Sequence, residues 1–547
     1  MYGFLQVSLI RNNRHFVVNL PEPDVQTQVA PGPTVSARSP NPAQDVERQR
    51  FSELNAAFAA SFEPTFTDIS SPKCVVIIPS LSVDQEILSK VNGYVYYEER
   101  LLCLLMYLRM PLTHIVYVTS MRIDPVIVDY YLHLLPGITG YHARQRLTLL
   151  SCDDPSSKPL TQKILERPLL MQRIRESIPH NYPAYISCFN MSPLERTLAV
   201  RLGLPVFGCD PDLLHLGSKS GSRKLLRRCG LPVPDGFEDL RDEQDIAEAL
   251  WALKRQHPGL RRAVVKLNDG FSGDGNAVVN LNEVHAVSEL RQQLPVLLQP
   301  VATDLSYEAF VQKFRTMGGI AEAFIEGNEK RSPSVQCRIL PTRQIEVVST
   351  HDQVLGGMDH QVFLGAYFPA HPDYARDVGI MGKRVAEGLR DAGVWGRFSL
   401  DFVSVRTAEG WKHYALELNL RKGGTTHPML MLMGLTRGEY DADAGAYYTA
   451  NGQKRFYFSS DNVQSEWFRG LTSHDLIHLA IFNRLQYDGS LQQGVMFHLI
   501  GALSQFGKLG LVCIGDSAQR AEAYRRLTMK VLLREGRQVN GFHPPAS

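Results

Sequence analysis

Two stretches in the second half of the chain, "GRFSLDFV" (396–403) and "HYALELNLR" (413–421), alternate residue by residue between apolar and polar side chains. Alternation of period two marks a strand with one buried face, because successive side chains point to opposite sides of the pleat. In the first stretch Phe398, Leu400 and Phe402 take one face, and Arg397, Ser399 and Asp401 the other. In the second, Tyr414, Leu416, Leu418 and Leu420 form the apolar set, opposite Ala415, Glu417, Asn419 and Arg421. "TAEGW" (407–411) between them supplies a turn, so the pair reads as an antiparallel hairpin with its polar faces together. That face holds two acids and an amide, with arginines only at the ends and no lysine. A solvated face is the ordinary reading of charges on a hairpin. The other is a site: carboxylates and amide oxygens suit Mg2+, and arginines suit phosphate or carboxylate. The pattern alone leaves both open.

Elsewhere the patterning suggests several domains, since 547 residues exceed what one core accommodates. Residues 21–50 hold six prolines among polar residues, a composition too poor in apolar side chains to fold, so 1–50 is expected to be a disordered tail. Residues 51–215 contain the apolar runs "KCVVIIPSLS" (73–82), "HIVYVTS" (114–120), "RLTLLSCDD" (146–154) and "AYISCFN" (184–190). Helical patterns at 84–109, 124–135 and 193–203 separate them, which predicts a parallel α/β sheet. "YYEER" (96–100) reads as a helix N-terminus with its charges exposed. After about Leu435 a smaller C-terminal domain (436–547) is expected, containing "GKLGLVCIGDS" and a helix at 517–534.

Composition excludes more than it assigns. A net charge of +2 gives no electrostatic case for a nucleic-acid or membrane partner. The eight cysteines include no CxxC pair and read as buried thiols in a reducing compartment. The richest apolar run, "LLCLLMYL" (101–108), is far too short to span a bilayer, and the first residues lack the order of a signal peptide. A cytoplasmic location is therefore expected.

"RRAVVKLNDGFSGDGNAVVNL" (261–281) is strand, glycine-rich loop, strand. A dinucleotide fingerprint would need a helix after the loop, whereas a loop between strands can fold over phosphates with its backbone N–H groups. Singly, this loop and Lys266 before it are unspecific. Their order along the chain is not. Lys219, "GLPVP", Lys266 with its loop, "EAFIEGNE", "RFSLD" and "ELNLR" together resemble the ATP-grasp superfamily over roughly residues 217–430. The likeness extends through "YEERLL", "CFNMSPLERTLAVRLGLP", "STHDQVLGG" and "LNLRKGGTTHP" to the pheganomycin-type peptide ligases.

The resemblance implies roles position by position. Lys219 and Lys266 match the lysines that hold ATP phosphates, and Phe271, Ser272, Gly273 and Gly275 match the loop closing on them. Glu322, Ala323 and Ile325 match the hinge that reads adenine, the last two through backbone groups, and Glu329 the acid on the ribose. Ala323 stands where relatives often carry lysine. Asp401, Glu417 and Asn419 match the Mg2+ ligands, and Arg397 and Arg421 the arginines beside the transferred phosphoryl group. His351 and Asp352 would line the acceptor site, and Gly423, Gly424 and Thr425 would wrap the reacting carboxylate.

The expected fold is thus α/β with α+β lobes: an N-terminal α/β domain, a two-lobed ATP-grasp module at 216–435, and the small C-terminal domain. The implied reaction is ATP-dependent joining of a small carboxylate to a small amine, an amino acid or short peptide on each side, through an acyl phosphate. A homodimer is left open. A kinase of the same fold, or a non-catalytic ATP-binding regulator, are the alternatives.

Overall fold

The computed structural model describes residues 42–82, 88, 91–270, 275–302, 305–356 and 362–541. It begins with a helix, Pro42–Phe62, that lies partly inside the segment read as a tail. Phe51, Asn55, Phe58 and Phe62 recur at helical spacing and are buried from the expected start of the folded body onward, and the helix runs nine residues further back, to Pro42. None of residues 42–50 is buried, so no apolar stripe marks this first part of the helix in the sequence; residues 1–41 lie outside the described residues.

The strands β1 (Lys73–Ile78), β2 (Thr113–Thr119), β3 (Leu147–Ser151) and β4 (Ala184–Cys188) form the expected parallel sheet, in the order β3-β2-β1-β4. All six residues of β1 are buried, Val75 and Ile77 in one core and Cys74, Val76 and Ile78 in another. Burial on both faces is why such a strand reads as one continuous apolar run. The 3₁₀ helix Tyr94–Arg109 follows β1, and its charges are not exposed. Glu98, Glu99 and Arg100 are all buried. Ser120 donates its N–H and hydroxyl to Glu98, each at 2.6 Å, and Gly501 donates its N–H to Glu99 at 3.1 Å. Buried charges persist only with such partners, and these lie too far along the chain to be read locally.

A second sheet holds β5 (Gly236–Leu240), β6 (Arg262–Leu267), β7 (Asn276–Asn280), β8 (Leu298–Pro300) and β9 (Gly319–Ala323), in the order β5-β9-β6-β7-β8. The pairing Lys266↔Asn276 makes β6 and β7 the antiparallel arms of the glycine-rich loop. Phe271, Ser272 and Gly273 of that loop lie outside the described residues.

The third sheet contains β10 (Lys330–Arg331), β11 (Pro333–Ile339), β12 (Ile345–Gly356), β13 (Val362–Phe368), β14 (Gly396–Thr407) and β15 (Gly410–Asn419). A small hairpin follows, β16 (Glu439–Asp441) with β17 (Ala446–Tyr448). Then β18 (Phe456–Gln464), β19 (Gly494–His498) and β20 (Lys508–Gly515) rejoin the third sheet, whose order is β10-β14-β11-β12-β13-β18-β20-β19, with β15 on β14. The C-terminal segment therefore builds no sheet of its own from these strands. Pairing Ala366↔Ser459 lets β18 cover the edge of β13, an edge that would otherwise expose a row of unpaired backbone groups.

The helix Ala375–Asp391 packs on the apolar face of this third sheet. Gly382 permits the approach, since a Cβ there would come within 2.6 Å of Val335. The opposite face is left to the polar side chains of β11, β12, β14 and β15.

Candidate functional site

The two expected arms, β14 and β15, form an antiparallel hairpin that sets Asp401 opposite Glu417 and Ser399 opposite Asn419. One feature of the alternation differs. The register shifts between Asp401 and Phe402, so Leu416 is the extra residue of a β-bulge. On its far side the faces exchange: Ala415 is 2% exposed in the core with Leu418 and Leu420, while Leu416 turns to a cavity. The freed N–H of Ala415 is donated to the Pro232 carbonyl at 2.8 Å, which ties "GLPVP" to the hairpin.

This cavity, of about 1000 Å³, is lined from the second sheet by Val264, Lys266, Glu322 and Ala323 and from the third by Asp401, Glu417 and Asn419. On the first side Lys266 Nζ lies 2.5 Å from Glu322 Oε1. Arg223, 1% exposed on its side chain, also pairs with Glu322 and reaches Glu238 at 2.9 Å. Ala323 donates its N–H to the Asp235 carbonyl at 2.7 Å, so a backbone contact from Ala323 to a ligand must use its carbonyl. Ile325 lines the cavity. Glu329 does not: it is exposed and pairs at 3.4 Å with Arg331, which lines the cavity together with Asn328 and Lys330.

On the other side Asp401 is held from three directions. Gln353 Nε2 donates to Oδ1 at 2.6 Å, Asn419 Nδ2 to Oδ2 at 3.1 Å, and the Ser334 hydroxyl adds a further bond. Burial, and then the charge of Glu417, push its carboxyl up to about 6. For Glu417 burial acts upward too, but Lys219 at 2.7 Å, with Lys266 and Arg421, outweighs it and holds the group below its ordinary range. Among the described residues no three His, Cys, Asp or Glu side chains gather into a metal-holding group. A cation here would rest on two carboxylates and one amide. Two adjacent half-buried carboxylates that repel each other are a donor set such a cation fits.

The remaining predicted residues divide. Arg421 lines the cavity, and burial lowers its pKa against the charges of Glu417 and Asp401. Arg397 is not brought to it. It lines an adjoining pocket of about 20 Å³ with Phe189, Lys422 and Arg421, the last shared with the cavity, and burial, with Arg338 alongside, pushes its pKa down to about 10. His351 also departs: its Nε2 lies 2.6 Å from the Tyr457 hydroxyl, its ring packs on Phe368, and burial pushes its pKa down to about 3. Asp352 lines the cavity but is occupied, accepting from Tyr374 Oη at 2.7 Å and His371 N at 2.8 Å. Gly423, Gly424 and Thr425 line the cavity just before the helix Thr426–Thr436. Gly275 lies at the foot of the loop, its carbonyl accepting from Leu267 N at 2.9 Å.

Tyr97, Arg100, Asp461, Asn462 and Lys508 also line the cavity and were not assigned to the site from the sequence, Tyr97 and Arg100 having been read as part of an exposed helix N-terminus. The available signal was a charged trio set directly against an apolar helix in "YYEERLLCLLMYL", a placement that burial explains and solvation does not. Among the described residues no helix is long and apolar enough to cross a membrane.

Known proteins bear on this arrangement. The family described as "IQCH-like, ATP-grasp" matches residues 211–300 and 285–443, and the "PGM1 C-terminal domain" matches 479–528. L-propargylglycine–L-glutamate ligase of Streptantibioticus cattleyicolor is 30% identical over 475 residues, covering 85% of this chain and 95% of that protein. IQ motif-containing protein H of Danio rerio is 23% identical over 430 residues, 70% of this chain but 40% of that longer protein. Among solved structures, biotin carboxylase from Campylobacter jejuni superposes with a TM-score of 0.51 at 13% identity, covering 87% of this chain and 97% of that one.

Proposed function

The chain belongs to the ATP-grasp superfamily of carboxylate–amine ligases, ADP-forming enzymes that make carbon–nitrogen bonds, and from that premise we propose that this one joins amino acids or short peptides through an acyl phosphate. One observation carries the reading: cationic and acidic side chains of two different sheets converge on one cavity, Lys266 with Glu322 on one side and Asp401 with Glu417 on the other. ATP is a substrate here. Lys266, in the cavity, and Lys219, 2.7 Å from the cavity residue Glu417, are suited to its phosphates, and Val264, Phe324, Phe402 and Leu416 offer an apolar slot for the base. Asp401, Glu417 and Asn419 would hold Mg2+, which supplies charge neutralisation on the phosphates.

The chain's own part in the chemistry is positioning and charge. Arg421 stands beside the metal ligands and in the cavity, where it can steady the anionic transferred group. Gly423 to Thr425 follow directly and present backbone to the carboxyl carbon. The amine then displaces phosphate. The test is to incubate the protein with ATP, Mg2+ and a pool of amino acids, and to follow ADP, free phosphate and amide products by mass spectrometry. L-propargylglycine and L-glutamate, named for the bacterial relative, are the first pair to try. ADP and phosphate are expected to appear together and only with a carboxylate present. ADP with no free phosphate and a stable phosphorylated product would replace the ligase by a kinase.

A further inference from the structure

Among the cavity residues that the reading above does not use are Tyr97, Arg100, Asp461, Asn462 and Lys508. They come from the 3₁₀ helix, from β18 and from the start of β20. Arg100 packs against two rings, its guanidinium carbon 4.2 Å from the Tyr97 centroid and 4.6 Å from that of Phe189. Lys508 fixes Tyr97 in turn, with Nζ 2.6 Å from the tyrosine hydroxyl. A planar guanidinium packed against two rings has its orientation set in advance for a planar anion.

Asp461 faces it. Its Oδ2 lies 3.6 Å from Arg100 Nη1, too long for a hydrogen bond, and its side chain is 13% exposed. Among the described residues no hydrogen bond to this carboxylate occurs. Its position is built into the strand. The β18–β20 ladder steps from Ser460↔Leu511 to Val463↔Leu509, so two residues of β18 oppose one of β20. That bulge takes Asp461 and Asn462 out of the alternation and turns them to the cavity. The loop after Arg421 runs past: a Cβ on Gly424 would stand 3.5 Å from Asp461 Oδ2.

A loosely paired cation and anion on a cavity wall are complementary to a ligand carrying the reverse pair, an ammonium and a carboxylate on one carbon. We propose that this is the subsite of the amine substrate, in which Asp461 takes the ammonium group and Arg100 the α-carboxylate, and that Asp461 sets a preference for a zwitterionic acceptor. The proposal rests on the ligase reading. In the step it implies, the ammonium gives one proton to the Asp461 carboxylate, and the freed lone pair forms the new C–N bond. The acyl C–O bond breaks with its electrons on phosphate, which also takes the second nitrogen-bound proton.

The test uses the full chain with ATP, Mg2+, a pool of amino acids, and hydroxylamine as a competing acceptor that has no carboxylate and is mostly uncharged at neutral pH. Wild type is expected to make both dipeptide and hydroxamate. Asp461→Asn should lower the dipeptide-to-hydroxamate ratio by about 30-fold, the loss of one charge-assisted pair. Arg100→Gln should erase the wild-type preference for free amino acids over their methyl esters as acceptors. A merely structural role would lower both products together, so an unchanged ratio overturns the proposal. The wild-type comparison needs no variant: equal use of esters and free acids as acceptors overturns it as well. If wild type makes neither product, the ligase reading is what falls.

Discussion

Lys219 Nζ lies 2.7 Å from Glu417 Oε1, and the same residue donates its backbone N–H to the Asn268 carbonyl at 3.1 Å. One residue at the start of the helix Lys219–Arg228 thus ties the root of the glycine-rich loop, just after β6, to the acid opposite Asp401 on the hairpin. Ser220 reinforces the link, its N–H going to Asn268 Oδ1 at 3.0 Å. The root of the glycine-rich loop and the acid proposed to hold the metal are thus joined through one residue, and a substrate that drew Lys219 away from Glu417 would leave that carboxylate free for a cation.

Glu417→Gln should therefore cost turnover far more than ATP affinity. The amide keeps the shape but gives up the charge that pairs with Lys219 and would hold Mg2+. Losses of this kind typically lower turnover about 100- to 1000-fold. ADP formation and nucleotide binding, measured on the same preparation, check it. Near-wild-type ADP release from the variant would take Glu417 out of the metal site.

The hairpin itself was legible because its strands have one buried face, and such strands write the core into every second residue. What the alternation could not convey was the bulge at Leu416. An extra residue flips the faces without changing the composition, so Tyr414 and Leu416 read as core and Ala415 did not. Charges gave the opposite error. Glu98, Glu99 and Arg100 look solvated in a local window, and their partners (Ser120, Gly501 and the cavity) are supplied by distant segments. The same holds for β18, whose place beside β13 depends on an edge formed many residues earlier. Motif order located the cavity; it could not say that Arg397 and Glu329 stop short of it.

Those two outcomes separate the arginines. Arg421→Met should abolish ligation with little loss of stability, since the residue faces the cavity. Arg397→Met should keep measurable turnover, its effect falling on the junction with Phe189 and Lys422. Steady-state kinetics with urea melts on both variants decide it. Equal loss of turnover in the two, with stability intact, would return Arg397 to the chemistry.

For His351 a core role is expected. His351→Phe leaves the Tyr457 hydroxyl without its 2.6 Å partner inside a packed aromatic cluster. An unsatisfied buried hydroxyl costs about 1–3 kcal/mol, so the urea midpoint should fall while KM for both substrates stays put. A raised acceptor KM at unchanged midpoint would place the ring in the site instead.

The last prediction concerns pH and Mg2+ together. Asp401 titrates at about 6 in the folded chain, raised by burial and then by Glu417, against an ordinary carboxylate value of about 3.9 in the unfolded one. Between those values the folded state holds a proton that the unfolded state has released, so stability without metal is greatest below the lower value and declines as pH rises through the upper one. Above it, the ionised Asp401 beside Glu417 is a penalty on the order of 3 kcal/mol. A divalent cation needs the carboxylate ionised and removes the repulsion, so its benefit grows across the same window. Mg2+ should accordingly raise the melting temperature clearly at about pH 7.5 and very little at about pH 5. Asp401→Asn should flatten the pH dependence of the metal-free protein, raise its stability at neutral pH, and remove the response to Mg2+. A response of equal size at both pH values in wild type, or one that survives in Asp401→Asn, would show that the cation binds elsewhere.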